Sequence, residues 1–411
     1  MTVISLAAAP QTTSHRRATA VLFVASGLMN AALAAASPVS TLITAERLGT
    51  AIAAAPNTAA ILGTGVGAIA LSRARERWGW RASLIAGYLA AAIGGGLAIP
   101  AVVGGDVFAL CVAMLLIGLG NAGALLSRYA AAEHHPVGRR GFAIGVVVWA
   151  GALGAVGGPL LLVPASDVGV GLGWVAFAGP FLLAALAATL AAAAILALPA
   201  PAPTGRESTR AGAGRSRIPL RVMIGTPAAR WSFAVMAVAQ VVMAAVMTAA
   251  PLGMHQHHDG LGVVGAALSA HALGMFALSP LTGWLLDRIG ARPVMLAGLI
   301  TMLVATLQLA IAPHDEALRV AALFQLGYGW NLCFVGGSGS LATGLPAADR
   351  AGVEGAVDGA VWGLTAVAAL ASTAAFASGG YPLIAVIAGT LLASVAVPLR
   401  NAINRSPAAR H

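Results

Sequence analysis

Long apolar runs separated by short arginine-bearing gaps constrain the fold of this chain more than any other feature. Only 9% of its 411 residues are charged, whereas soluble domains carry about a quarter. A chain with so little polar surface cannot face water on all sides, and the lipid bilayer is the solvent that suits it. Runs of about 20 apolar residues are long enough to cross a bilayer as helices. The sequence therefore predicts an all-α membrane protein.

Twelve runs have the length and composition of membrane spans. They cover residues 18–38, 49–71, 82–102, 107–129, 140–164, 172–199, 230–252, 261–285, 293–313, 317–343, 352–377 and 381–399. The longest polar gap, 200–229, is rich in Pro, Gly, Ser and Arg, which is typical of a linker. We therefore expect two six-helix halves, residues 1–199 and 230–411, joined by a cytoplasmic linker.

Arginine supplies all 23 basic residues, and its distribution orients the chain. With the N-terminus inside, 21 of the 23 arginines lie in cytoplasmic segments, Arg128 among them, and only Arg47 and Arg319 lie outside. The positive-inside rule then places both termini in the cytoplasm and predicts a multi-pass protein of the inner or plasma membrane. Because the arginines occupy short gaps and aromatic residues are only 5% of the chain, the net charge of +10 does not indicate nucleic-acid binding.

Residues 283–292 read GWLLDRIGAR and lie between predicted spans 8 and 9. This segment resembles the G-x-L-x-D-R-x-G-x-R loop of the major facilitator superfamily, which occupies the same place in that family. Its glycines permit close helix approach and a tight turn, and its aspartate lies near arginines and a helix end, where it can hold a cytoplasmic gate closed. The predicted gate residues are Gly283, Asp287, Arg288, Gly290 and Arg292.

The corresponding loop of the first half, residues 70–81, keeps the glycine and the arginines but has no aspartate at the usual place. Two related loops in two halves are what an internal repeat predicts. The resemblance implies twelve helices in two halves, transport by alternating access and a protein that is not an enzyme. No nucleophile–base pair, phosphate loop or HExxH motif appears in the sequence.

Two further motifs of the superfamily are incomplete. Span 5 matches the start of a pattern associated with antiporters but lacks its closing glycines; small residues of this kind equally serve helix packing. The matching positions are Gly145, Gly154, Gly158 and Pro159. In span 4, Met114 replaces the arginine of the R-x-x-x-G-x-G pattern. We therefore expect this span to lack a buried arginine that tunes proton movement.

Methionine and histidine recur at helical spacing in spans 7 and 8. Met243 and Met247 lie four residues apart in span 7, and His271 and Met275 lie four apart in span 8. An ionisable group near the bilayer midplane, such as His271, indicates function. The two spans run antiparallel, so we expect Met243 and His271 at similar depth and Met275 about one turn deeper. Thioether and imidazole donors suit Cu(I), although methionine also fills gaps in helix packing.

This pair of motifs resembles the CcoA-like copper importers of the major facilitator superfamily, a subgroup that also contains riboflavin importers. The resemblance implies that Met243, Met247, His271 and Met275 bind copper as a transported substrate. A second polar cluster at the extracellular mouth either captures the metal or is a solvated loop. Its residues are Met254, His255, His257, His258 and Asp259.

Asp358 is interpreted as the one carboxylate inside a span. It either binds a proton for coupling or pairs with Arg350 or another cytoplasmic arginine.

Three function classes follow from these patterns. The first is a copper importer. The second is an organic-solute carrier, either a riboflavin importer or a proton-coupled drug exporter; a flavin requires aromatic walls, which Trp149, Tyr328, Trp330 and Trp362 can supply. The third is a membrane receptor or scaffold. For each class we expect a monomer in the lipid bilayer with no permanently bound cofactor and no nucleic-acid partner.

Overall fold

The computed structural model describes residues 9–49, 52–199, 225–256, 261–311 and 315–405, which form helices joined by short turns, with no strand in these ranges. The helices of the first half are α1 (Ala9–Leu48), α2 (Ala55–Gly104), α3 (Val107–Glu133), α4 (Arg140–Leu160), α5 (Leu162–Gly171) and α6 (Gly179–Ile195). Those of the second half are α7 (Pro227–Gln256), α8 (Leu261–Phe276), α9 (Ser279–Ile289), α10 (Ala291–Ile311), α11 (Glu316–Gly344) and α12 (Ala347–Asn404).

The 50-residue helix α2 is a hairpin of two spans. A straight helix of that length would measure about 75 Å, more than twice the hydrocarbon thickness of about 30 Å. Gly79, with φ of 78°, reverses the chain, and the Ser83 hydroxyl donates to the carbonyl oxygen of Leu71 at 2.6 Å across the turn. The loop predicted over 70–81 therefore reduces to a turn at one glycine. Gly380, with φ of 59°, divides α12 in the same way.

Two predicted spans are instead interrupted. Span 5 continues from α4 into α5 after a break at Leu161, just past Pro159, and span 8 is divided between α8 and α9, where Pro280 lies in the first turn of α9. Proline cannot donate a backbone hydrogen bond, so the helical ladder is interrupted at such points. Counting hairpins as two passes and interrupted spans as one gives twelve passes in two halves among the described residues.

By length and composition, seven helices among the described residues qualify to cross a membrane, one of them being the two-pass α2. The all-α membrane fold predicted from the sequence is confirmed. Residues 200–224 of the predicted linker lie outside the described residues, so the linker remains a prediction.

Two pairs of helices make most of the contacts between the halves: α2 packs against α12, and α4 packs against α9, with smaller contacts of α3 and α4 on α11 and of α4 on α8. We call the α2–α12 and α4–α9 contacts the two seams. Glycine makes the α4–α9 seam close, because a side chain on Gly145 would overlap the carbonyl oxygen of Ser279 and one on Gly283 would overlap that of Gly141. Both seams lie towards the side that the arginine distribution assigns to the cytoplasm. Gly154 and Gly158 pack instead on α1 within the first half.

Candidate functional site

The four predicted copper ligands lie on two helices that share α11 as a neighbour. α7 carries Met243 and Met247 and packs against α11 and α12, whereas α8 carries His271 and Met275 and packs against α11. The three methionine side chains are half-buried and His271 is 5% exposed. The His271 Nδ1 atom lies 3.0 Å from the carbonyl oxygen of Leu323 on α11. As a neutral imidazole donating from Nδ1, His271 keeps the lone pair of Nε2 for a ligand.

The contacts along α11 set the relative depth of the two pairs. On α7, Ser232 bonds to the Gly337 carbonyl and Gln240 to Trp330, so residues one and two turns after Gln240 reach the level of Leu323 and Gly327. On α8, His271 meets α11 at that level. The expected equality of depth therefore agrees with the register, but the described contacts of His271 go to α11 rather than to α7. The copper-ligand set remains a prediction.

The proposed extracellular capture cluster lies where the structure gives no side-chain description. Met254 and His255 belong to the last turns of α7, and His257, His258 and Asp259 fall outside the described residues.

An aromatic cluster with one amide lies where the halves meet. The Trp330 indole N–H donates to Gln240 Oε1 at 2.6 Å, Trp330 stacks on Phe334 with centroids 4.6 Å apart, and Phe276 meets Trp330 edge-on at 6.3 Å. The Phe276 ring also faces Gly151 of α4 in the first half. We call Gln240, Phe276, Trp330 and Phe334 the aromatic–amide cluster. Of the predicted aromatic walls, Trp330 lies in it, whereas Trp149 is 42% exposed and pairs with Phe23 of α1.

A buried ion pair joins the halves beneath this cluster. Nη2 of Arg128, on α3, lies 2.7 and 2.9 Å from the carboxylate oxygens of Asp358, on α12, and each side chain is 1% exposed. Asp358 therefore pairs with Arg128 and not with Arg350. Met114 stands at the arginine position of the motif, but span 4 contains a different buried arginine, Arg128, which the arginine distribution assigned to a cytoplasmic segment. Arg128 lies near the end of an apolar run, where hydropathy alone cannot distinguish a buried side chain from a solvated one.

The remaining contacts of Arg128 give each of its three guanidinium nitrogens a hydrogen-bond acceptor. Nε donates to the Ser338 hydroxyl at 2.7 Å, Nη1 to the Leu125 carbonyl at 2.6 Å and Nη2 also to the Tyr129 hydroxyl at 3.0 Å. The guanidinium lies over the rings of Phe334 and Tyr129, at 4.1 and 4.4 Å. Phe334 is thus shared between the ion pair and the aromatic–amide cluster.

A second intramembrane carboxylate, Glu354, lies one helical turn before Asp358 and is fully buried. Its Oε2 bonds to Arg75 of α2 at 2.6 Å, and its Oε1 has no hydrogen-bond partner. Arg75 also pairs with Glu133 and stacks on Trp80 at 4.0 Å. The interpretation of Asp358 as the one carboxylate in a span is therefore wrong, since Glu354 falls within predicted span 352–377. The apolar sequence around Glu354 does not indicate that Arg75, in the other half, is the residue that pairs with it.

Asp287 meets a helix end, and the helix belongs to the other half. Its two carboxylate oxygens accept the backbone N–H groups of Gly141 and Phe142, each at 2.8 Å, at the start of α4. Carboxylates are favourable at this positive end of a helix dipole. On the same side, Arg140 donates to the Ala342 carbonyl at 2.9 Å, near the end of α11. Of the other predicted gate residues, Arg288 lies over Trp284, Gly290 turns the chain with φ of 83°, and Arg292 is half-buried in α10.

The loop between α3 and α4 carries a neutral imidazole. Burial lowers the pKa of His135, a shift opposed by its hydrogen bond with the Ala131 carbonyl and reinforced by His15, His134 and Arg139. Its ring lies 5.3 Å from that of His15. His135 therefore adds no positive charge to the gate at neutral pH.

Comparison with known proteins supplies a context for this geometry. The family model of the Major Facilitator Superfamily matches residues 19–262 and 232–410. YdeG of Bacillus subtilis, an MFS-type transporter, is 30% identical over 363 residues, covering 85% of this chain and 83% of the relative. The riboflavin transporter RfnT of Brucella anthropi is 27% identical over 338 residues, covering 82% and 83%. The solved structure of the proton:xylose symporter XylE superposes with a TM-score of 0.77 at 15% identity, covering 94% and 95%.

Proposed function

Because this chain belongs to the major facilitator superfamily of membrane transporters, we propose that it carries a planar organic solute of the flavin class by alternating access between its two halves. Membership makes the chain a multi-pass membrane transporter and not an enzyme. The solute and the direction of transport, which we take to be import, are the parts proposed here.

The aromatic–amide cluster is the observation that carries this proposal. A conjugated ring system binds by stacking on, or meeting edge-on, aromatic side chains such as Trp330 and Phe276. The Gln240 amide, whose oxygen accepts the Trp330 indole N–H, has N–H donors that suit the polar edge of such a ring. The cluster lies at the junction of the halves, where alternating access requires a substrate site. The relative RfnT, named as a riboflavin transporter, supports the same solute class.

Copper import is a second candidate, and a different observation favours it. The hydrogen bond from Nδ1 to the Leu323 carbonyl leaves Nε2 of His271 as the imidazole atom for a ligand, a pattern typical of metal-bound histidine. Met243 and Met247 lie at a similar depth on α7. A site of neutral thioether and imidazole donors suits Cu(I) and avoids a fixed anion within the bilayer.

Uptake of radiolabelled riboflavin and radiocopper into cells expressing the chain tests the two candidates together. If the solute is a flavin, Trp330→Leu should lower riboflavin uptake roughly tenfold, as expected when about 1.4 kcal/mol of binding is lost. The matched control is Trp149→Leu, which removes an indole outside the cluster. Riboflavin uptake that is absent, or equal in wild type and Trp330→Leu at equal expression, contradicts the flavin proposal.

The copper candidate makes the complementary expectation. Met243→Leu and His271→Leu should each lower copper uptake roughly tenfold through loss of a ligand. Because volume-conserving changes usually cost little in packing, such a loss would not be explained by a packing defect. Unchanged copper uptake in both variants would remove this candidate. Efflux of lipophilic dyes with no uptake of riboflavin or copper would indicate the drug-exporter alternative.

A further inference from the structure

We propose that Asp358 is the proton-binding residue of this transporter, and that a proton there promotes opening of the cytoplasmic side by removing the counter-charge of Arg128. This inference rests on alternating access, which belongs to the proposed function, but it does not depend on the identity of the solute.

Arg128 is held mainly by the opposite half. Asp358, Ser338 and Phe334 contact its guanidinium from α11 and α12, whereas Arg128 itself belongs to α3. Any motion that separates the halves on the cytoplasmic side must therefore break this buried pair. Arginine stays protonated in proteins, so Asp358 is the member of the pair whose charge can be removed.

The chemical step is a simple proton transfer. One O–H bond forms on an Asp358 carboxylate oxygen, the carboxylate becomes neutral, and no other covalent bond changes. Arg128 is then a buried cation without a counter-ion, an arrangement that is strongly unfavourable. Opening the cytoplasmic side admits water to Arg128 and relieves this cost. Because coupling between proton binding and opening is reciprocal, the cytoplasmically open state binds this proton more tightly than the closed state does.

The charges around the pair favour Asp358 over its neighbour Glu354. The groups around Asp358 are Arg128 and Tyr129 of α3. On α11, the uncharged Ser338 and Phe334 face Arg128. Glu354 instead faces Arg75 of α2. If Glu354 is protonated, Arg75 retains Glu133 as a partner. The described contacts give Arg128 no second carboxylate. Protonation of Asp358 therefore changes the stability of the closed state more than protonation of Glu354.

A thiol placed in the α2–α12 seam reports the opening without any substrate. Ser72 is 1% exposed, lies against Gly355 of α12, and its hydroxyl has no hydrogen-bond partner, so Ser72→Cys removes no hydrogen bond. The full-length chain would carry it after replacement of Cys111 and Cys333, and a membrane-permeant maleimide would measure its accessibility in vesicles.

Because maleimide reacts with the thiolate, labelling is expressed relative to that of a fully exposed cysteine at the same pH. With Asp358 intact, this relative labelling should accelerate on the order of tenfold between mildly alkaline and mildly acidic pH. Asp358→Asn should label rapidly at both pH values, and Asp358→Glu should restore the pH response, which would not occur if Asp358 were only a packing residue. Asp167→Asn, at an exposed carboxylate on α5, is the matched control and should behave as the parent.

Two results would overturn the proposal. One is labelling of the parent that does not change with pH. The other is a pH response that persists in Asp358→Asn and disappears in Glu354→Gln, which would assign the proton to Glu354. The pH response is measured first on the parent protein, in which Asp358 is intact. That measurement shows whether labelling depends on pH even if Asp358→Asn fails to fold. Failure of riboflavin uptake leaves this test unaffected.

Discussion

Asp287 binds the first turn of α4 across the boundary between the halves. Its carboxylate accepts two backbone N–H groups at 2.8 Å, and N–H groups in a first helical turn have no partner within their own helix. The interaction exists only while α4 and α9 are in contact. Asp287 therefore contributes to the cytoplasmically closed state and not to the folding of either half alone.

We expect Asp287→Asn to weaken the closed state by about 1–2 kcal/mol, because the amide keeps one acceptor but loses the charge. Transport should fall at unchanged expression, and Ser72→Cys should be labelled faster. Asp315→Asn is the matched control, since Asp315 accepts the Leu318 N–H at the start of its own helix, α11. Normal transport and normal labelling in Asp287→Asn would exclude the gating role.

At the scale of single residues, the sequence was least informative about which charged side chains interact with each other in the fold. The motif around Asp287 predicts contact with a helix end but not with α4, whose Gly141 is 146 positions away, and the Arg128–Asp358 pair joins residues 230 positions apart. Nothing near Arg128 in the sequence distinguishes a guanidinium that reaches the cytoplasm from one held between two rings. Which helices of the two halves touch is a tertiary property, and this decides which charge neutralises which.

Among the helices, α4 shows how one element serves two partners. Gly154 and Gly158 pack on α1 in the same half, whereas Gly141 and Gly145 pack on α9 in the other half. The first contacts are expected to persist throughout the transport cycle, and the second must form and break. The start of a helix was predictable where an apolar run follows a polar N-cap, as after Asp106 for α3 and after Asp315 for α11. Helix bounds were not predictable where a single glycine joins two spans.

We expect Gly145→Ala to destabilise the closed α4–α9 seam by ~1–3 kcal/mol, because the added methyl group would overlap the Ser279 carbonyl. Gly157→Ala in the same helix is the control, since no described atom lies within 4 Å of an added methyl group there. Faster labelling of Ser72→Cys in Gly145→Ala alone is the expected result. Equal labelling in the two variants would show that this contact does not hold the seam.

At the scale of the whole molecule, two halves joined by seams on one side imply reciprocal exposure of the two membrane faces. Ser269, exposed in α8 towards the extracellular side, and Ser72 in the cytoplasmic seam provide two positions for thiol labelling. We expect a transported solute to change the labelling of Ser269→Cys and Ser72→Cys in opposite directions. Parallel changes, or none, would contradict rigid-body alternating access.

The turns at Gly79 and Gly380 also affect how the halves can move. Each glycine reverses the chain within one residue, so no flexible loop separates the two arms of the hairpin. We therefore expect the two arms of α2 to move together as one rigid body, and the two arms of α12 likewise. The two hairpins contact each other along Gly65 of α2 and Gly355 and Gly359 of α12. This contact would act as a pivot, so that displacement of a hairpin at one membrane face would produce an opposite displacement of the same hairpin at the other face. The mechanical work of a cycle would then be concentrated where backbones touch with no side chain between them.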